Sequence, residues 1–238
     1  MTGMRRIGSK LSGVLLAAVL LAGAHDAAFA DGAAGPAVAP AEAARPDPAD
    51  AVYDETQPGA DDPRVKEGFA AYRAGEFKKA YDIWLPLAEA GNAEAQFRVG
   101  TLFDFGRGVA ENLKAAQSWY RKSSDSKHDR AMFNLASLLY WGPSPFRDRQ
   151  LGFELFLSGA EKGDALSQEQ TGRAYAIGDG VRRDFTKAFM WLYLAKEAGI
   201  DTSIDAITSL RRFSDDSAEQ KGIRMKREWL ESHPRTNR

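Results

Sequence analysis

The 238-residue chain contains no cysteine. That absence excludes a disulfide scaffold, a zinc ribbon and a cysteine nucleophile. Histidine is nearly as scarce, at three residues, and neither sign of charge prevails, with 32 Lys+Arg against 33 Asp+Glu. So even a balance gives no sign of a nucleic-acid partner. Long apolar runs are missing too: the longest, Leu11 to Ala24, has 14 residues broken only by Ser12 and two glycines. A helix crossing a bilayer needs roughly 20, so a polytopic membrane protein is excluded.

That short run has a different meaning in its setting. Arg5, Arg6 and Lys10 precede it, and Ala28-Phe29-Ala30 follows with the small-x-small pattern of a signal-peptidase site. The order of charge, apolar run and cleavage site predicts a signal peptide over 1–30, cut after Ala30. With no cysteine at the cut, a lipid anchor is excluded, and the expected location is periplasmic or secreted with no stable membrane insertion after cleavage. Residues 31–62 then carry eight acidic residues against Arg45 alone, and their only sizeable apolar side chains are Val38, Val52 and Tyr53. Such a segment buries too little apolar area to offset its ordering entropy. It is expected to be a disordered, acidic, Ala/Pro-rich linker.

The rest of the chain repeats with a period of 36. The stretch Ala95 to Gly106 (AQFRVGTLFDFG) recurs at Ala131 to Gly142 (AMFNLASLLYWG) and at Ser167 to Gly178 (SQEQTGRAYAIG). The register persists beyond these blocks, through Asn112, Asp148 and Asp184, then Ala116, Gly152 and Ala188, then Trp119, Leu155 and Trp191. A fixed period between 20 and 50 residues is the mark of a solenoid. Each copy reads as two helices. Gly100, Ala136 and Gly172 precede Phe103, Leu139 and Tyr175 by three positions, placing a gap and a bulky side chain on one helix face for a close neighbour. Gly106, Gly142 and Gly178 suit left-handed caps that end the first helix. Asn112, Asp148 and Asp184 are placed to cap the second.

Gly106-Arg-Gly-Val109 with Asn112, Ala116 and Trp119, and Gly178-Asp-Gly-Val181 with Asp184, Ala188 and Trp191, resemble the Sel1-like repeat, a relative of the tetratricopeptide repeat. The resemblance implies an all-α fold, an α/α solenoid of helix pairs forming a curved superhelix. Copies are expected at 92–127, 128–163 and 164–199 within an array spanning 63–232. Pro143-Ser-Pro145 replaces the Gly-x-Gly-Val loop in the middle copy. Upstream, Gly68 to Trp84 resembles a shorter tetratricopeptide-type repeat, expected over 64–91. Downstream, 200–232 is expected to form a capping helix pair, with helices from Ser203 to Phe213 and from Ser214 or Asp215 through Gly222, Met225 and Trp229; 233–238 is left as a tail.

Little in the sequence points to chemistry. His128 and His233 lie far apart in a linear array, and no Ser/His/Asp set, metal-ligand spacing or phosphate-cradling loop is present. No catalytic residue, cofactor or metal is assigned. By analogy with tetratricopeptide arrays, the concave face would be lined by first-helix positions: Phe97, Thr101, Asp104 and Phe105, then Phe133, Ser137, Tyr140 and Trp141, then Arg173 and Ile177, with Lys66 and Arg73 at matching phases in the short repeat. These would form an apolar strip with basic ends, suited to an extended peptide or a partner helix. The alternative for Phe97 and Phe133 is ordinary packing, and for Trp141 a seat on the adjacent prolines. The expected function is a non-catalytic periplasmic scaffold that binds an envelope, secretion or signalling protein. The alternative is a protein that binds or hydrolyses cell-wall glycan or β-lactam-like ligands.

Overall fold

The structure, a computed structural model, describes residues 54–233. The expected signal peptide, the linker up to residue 53 and the tail after His233 lie outside the described residues. Among the described residues there are ten helices and no strand. They are α1 (Pro63–Arg73), α2 (Phe77–Glu89), α3 (Ala93–Asp104), α4 (Leu113–Asp125), α5 (Asp129–Trp141), α6 (Arg149–Glu161), α7 (Ala165–Ile177), α8 (Phe185–Glu197), α9 (Thr202–Leu210) and α10 (Asp216–Ser232). None of these is long and apolar enough to cross a membrane.

The helices begin where the sequence supplies an acceptor. Asp62, Asn92, Asn112, His128, Asp148, Asp164, Asp184 and Asp215 each accept a hydrogen bond from a backbone N–H of the first turn they precede. An N-cap of this kind stabilises a helix by about 1 kcal/mol. The loops inside the pairs are pinned by one bond that recurs at the 36-residue period. The N–H groups of Asn112, Asp148 and Asp184 donate to the carbonyls of Phe103, Leu139 and Tyr175 at 2.9, 2.8 and 2.9 Å. Junctions between pairs repeat as well: Gln96 donates to Ala88 O and Gln168 to Ala160 O, the carbonyls of the preceding second helix.

Helix pairing rests on close approach. A Cβ added to Gly100 would lie 2.9 Å from the Tyr120 ring, and one on Gly172 would lie 2.7 Å from Leu192. In the middle copy Ala136 occupies the equivalent position and the glycine sits opposite, where a Cβ on Gly152 would lie 2.9 Å from Tyr140 N and 3.0 Å from Ala136 O. Every pair therefore contributes one Gly and one Ala, Gly100 with Ala116, Ala136 with Gly152, Gly172 with Ala188. The short repeat follows suit, with Gly68 against the ring of Trp84, whose indole N–H donates to Val65 O at 3.1 Å.

Three expectations are corrected or refined. Gly106 and Gly178 are left-handed, at φ 62° and 78°, but Gly142 is not, at φ -59° and ψ 162°. Pro143 follows it, and a residue before proline is driven to extended backbone. The linker is shorter than expected, because Asp54 to Asp62 folds onto the array. Ala60 is buried, Pro58 O accepts from Glu94 N, Gly59 O accepts from Asn92 Nδ2, and Gln57 Oε1 accepts from Asp129 N. The reason is that the free N–H groups opening α3 and α5 need acceptors, and a stretch with no apolar bulk can still supply carbonyls. At the other end, α9 and α10 both pack on α8, and Gly222 lets α10 approach so closely that a Cβ there would lie 2.7 Å from Phe189 Cβ.

Two substitutions test these contacts. Gly152→Ala adds a methyl where backbone stands in the way, and overpacking of this kind costs about 1–3 kcal/mol. Urea unfolding should show a loss of that size even though Ala is the better helix former. Lys127, at φ 64°, is the one described non-glycine residue with positive φ, at the inter-repeat turn where Gly91, Gly163 and Gly199 stand in the other copies. Lys127→Gly should raise stability by about 1 kcal/mol by relieving left-handed strain, visible as a higher urea midpoint.

Candidate interaction surface

Most of the expected strip is occupied by the array's own packing. Phe97 is buried, stacked on the His128 ring at 4.7 Å between centroids, with Tyr120 at 6.0 Å. Phe133 is buried against Phe156 at 5.5 Å. Thr101 donates to Phe97 O in the helix's own preceding turn, and Asp104 accepts from the Tyr120 hydroxyl at 3.1 Å. Ser137 donates to Phe133 O, and Tyr140 reaches across to Asp179 O at 3.1 Å. Arg173 is buried against Glu169. These seven side chains are buried in contacts between helices or within their own helix, so the strip is not a continuous apolar surface.

The other five positions retain some access. Arg73 and Lys66 are exposed, Lys66 in an ion pair with Glu55 of the docked segment. Phe105, Trp141 and Ile177 are half-buried. The Trp141 ring packs at 5.3 Å from Phe156 and 5.2 Å from Tyr140, between centroids. It is anchored against the second helix of its own pair and is half-buried, with its indole nitrogen shielded from solvent.

A polar junction that sequence reasoning did not single out lies beneath this face. Positions 92, 128 and 164 share one phase of the repeat, and all three cap a first helix. His128 replaces the Asn and Asp of the neighbouring copies. Its Nδ1 accepts from Ala131 N at 3.2 Å, which leaves Nε2 as the protonated nitrogen, donating to Glu94 Oε2 at 2.6 Å. The other carboxylate oxygen of Glu94 accepts from Arg98 Nε at 2.6 Å, and Glu94 N donates to the docked segment at Pro58 O. Glu94, Arg98 and His128 are all at or below 2% exposed. Glu94 thus ties α3 to the start of α5 through its carboxylate and to residues 54–62 through its backbone N–H. A second junction links α7 to α9: Glu169 accepts from Arg173 and from the Thr202 hydroxyl, and Arg173 also donates to Thr202 O.

The electrostatics follow from burial and pairing. Burial acts against the Glu94 carboxylate, but the His128 hydrogen bond and the Arg98 charge prevail and hold it below its ordinary value. Burial, reinforced by the Asp104 charge, pushes the Tyr120 hydroxyl far up. Tyr120 is therefore a neutral donor at physiological pH. Because the Glu94 value is lowered in the folded state, its contribution to stability is present above the ordinary carboxyl value of 4.5 and is lost as pH falls below it. Glu94→Gln should destabilise the array by about 2–4 kcal/mol at neutral pH, since it removes the buried negative charge to which Arg98 Nε and His128 Nε2 both bond. The urea midpoints of wild type and variant should converge as pH is lowered below 4.5.

The structure is similar to that of a Sel1 repeat protein from Oxalobacter formigenes, with 22% identity and a TM-score of 0.57, covering 71% of this chain and 70% of that one. It is also similar to a protective antigen of uropathogenic Escherichia coli displaying an SLR fold, with 23% identity and a TM-score of 0.44, covering 69% of this chain and 45% of that one. Residues 93–128, 129–164 and 165–200 each match the Sel1 repeat, so the helix pairs α3–α4, α5–α6 and α7–α8 are three tandem Sel1 repeats.

Proposed function

We propose that the protein is a non-catalytic interaction scaffold, exported to the periplasm or secreted, that holds an envelope, secretion or signalling protein against its repeat surface. The observation that supports this most is the use made of its buried polar groups. Glu94, Arg98, His128, Glu169 and Arg173 bind one another, helix ends and a helix carbonyl. They hold helices in place, as the stacking of a repeat protein requires. Sel1 repeats generally serve as protein–protein interaction scaffolds, and the three tandem copies bring that role to this chain. The order of basic residues, apolar run and Ala28-Phe29-Ala30 supports export.

On this reading the partner meets the first-helix side near exposed Arg73 and half-buried Trp141 and Ile177. A photo-cross-linking amino acid at Arg73 should give an adduct of one defined mass in the native host, and the same probe at exposed Lys114 on α4 should not. Equal labelling from both positions would overturn the assignment of the surface. Osmotic-shock fractionation tests export separately: a chain lacking residues 1–30 should be released, and retention of the full-length chain in the cytoplasm would overturn the location.

A further inference from the structure

The outward positions of the second helices change character along the array. At one phase they read Ser118, Glu154 and Met190; at the next, Arg121, Leu157 and Tyr193; at a third, Lys122, Ser158 and Leu194. The face is charged on α4, mixed on α6 and apolar on α8. An apolar helix face needs cover, and α10 supplies it along α8. Between α6 and α10 an open cleft of about 520 Å³ remains over α8.

Its lining is mostly aromatic and thioether. Tyr175, Met190 and Trp191 contribute from α7 and α8, and Met225 and Trp229 from α10. The two indoles meet edge to face at 6.0 Å between centroids. Two charged groups line the same cleft. The Lys187 ammonium stands 5.1 Å from the centroid of the Tyr175 ring, and Glu161 projects from the last position of α6. Among the described residues, Lys187 makes no ion pair, with Glu161 or with any other carboxylate.

We infer that this cleft binds amphipathic organic anions, molecules with a flat apolar or aromatic body and a single carboxylate, sulfonate or phosphate group. The volume falls within the range of small-molecule sites, about 300–1,000 Å³, and exceeds what one protein side chain would fill. The accessible part of this wall is the half-buried Met225 and Trp229, the latter stacked on His233 at 4.3 Å, while Tyr175, Met190 and Trp191, each 7% exposed or less, form its floor; an indole and unbranched methionines suit a planar apolar body. Lys187 gives the anionic group an unpaired counter-charge beside a low-dielectric wall, where a charge pair is stronger than in water. Glu161 repels a second anionic group, which restricts the head group to the Lys187 side. The site is independent of the protein-partner surface proposed above, which lies on the first-helix side.

The test is a fluorescence titration of the full-length chain with two probes that share one body. 8-Anilinonaphthalene-1-sulfonate carries the anionic group, and N-phenyl-1-naphthylamine lacks it. The sulfonate should bind at one saturable site per chain, at least about tenfold more tightly than the neutral amine. Lys187→Gln should erase that preference by weakening the sulfonate alone, and Trp229→Ala should weaken both probes. Equal affinity of the two probes for the wild type would overturn the proposal. So would a sulfonate affinity left unchanged by Lys187→Gln, a variant at an exposed position whose fold is checked by circular dichroism.

Discussion

Everything in the array depends on two backbones coming close enough for a missing methyl group to matter. The Gly and Ala that alternate sides from copy to copy, Gly100 with Ala116, Ala136 with Gly152 and Gly172 with Ala188, keep that clearance constant while the surrounding residues vary. Large side chains then fill the flanks: Tyr120 beside Gly100, Leu192 beside Gly172, Trp84 beside Gly68. Dense packing of this kind leaves little room for compromise. It explains why the register survives in the middle copy even where its loop has been rebuilt around two prolines.

Polar groups supply what apolar packing lacks, which is direction. The repeated bond from Asn112, Asp148 or Asp184 to the preceding first helix fixes where each second helix begins, and Gln96 and Gln168 fix how one pair meets the next. The middle copy has Met132 at the phase of those glutamines and His128 at the phase of Asn92 and Asp164. There the junction is held instead by the imidazole, whose larger ring reaches past its own helix to Glu94. Hydrogen bonding has been moved from one position to a neighbouring one within the same interface.

Much of this was legible in the sequence because it recurs. The period, the helix pairs, the cap residues and the small positions all repeat at 36, and repetition distinguishes a constraint from an accident. What recurrence could not show was which face of a first helix is free. Thr101, Asp104 and Ser137 read as surface residues because they are polar, yet they are satisfied by Tyr120 or by their own helix and lie inside. Gly142 read as a left-handed cap by alignment, and a single following proline reversed it. The docked segment 54–62 was invisible for a related reason: two of its attachments, at Pro58 O and Gly59 O, are backbone carbonyls, which any sequence possesses. The burial of α8 left a sign that was readable in principle, in the passage from Ser118 through Glu154 to Met190.

That passage also bears on how such a protein can change in length. A second helix with a charged outer face, like α4, is indifferent to what lies beyond it, so a unit of that type can be duplicated within the row without leaving apolar surface bare. The α8 unit has no such freedom, since its apolar outer face, with Met190, Tyr193 and Leu194, lies on a helix that α9 and α10 cover. Insertion directly after it would part the two and expose both. Lineages that gain or lose repeats would therefore do so ahead of α7, with the final three helices and α7 inherited as one block.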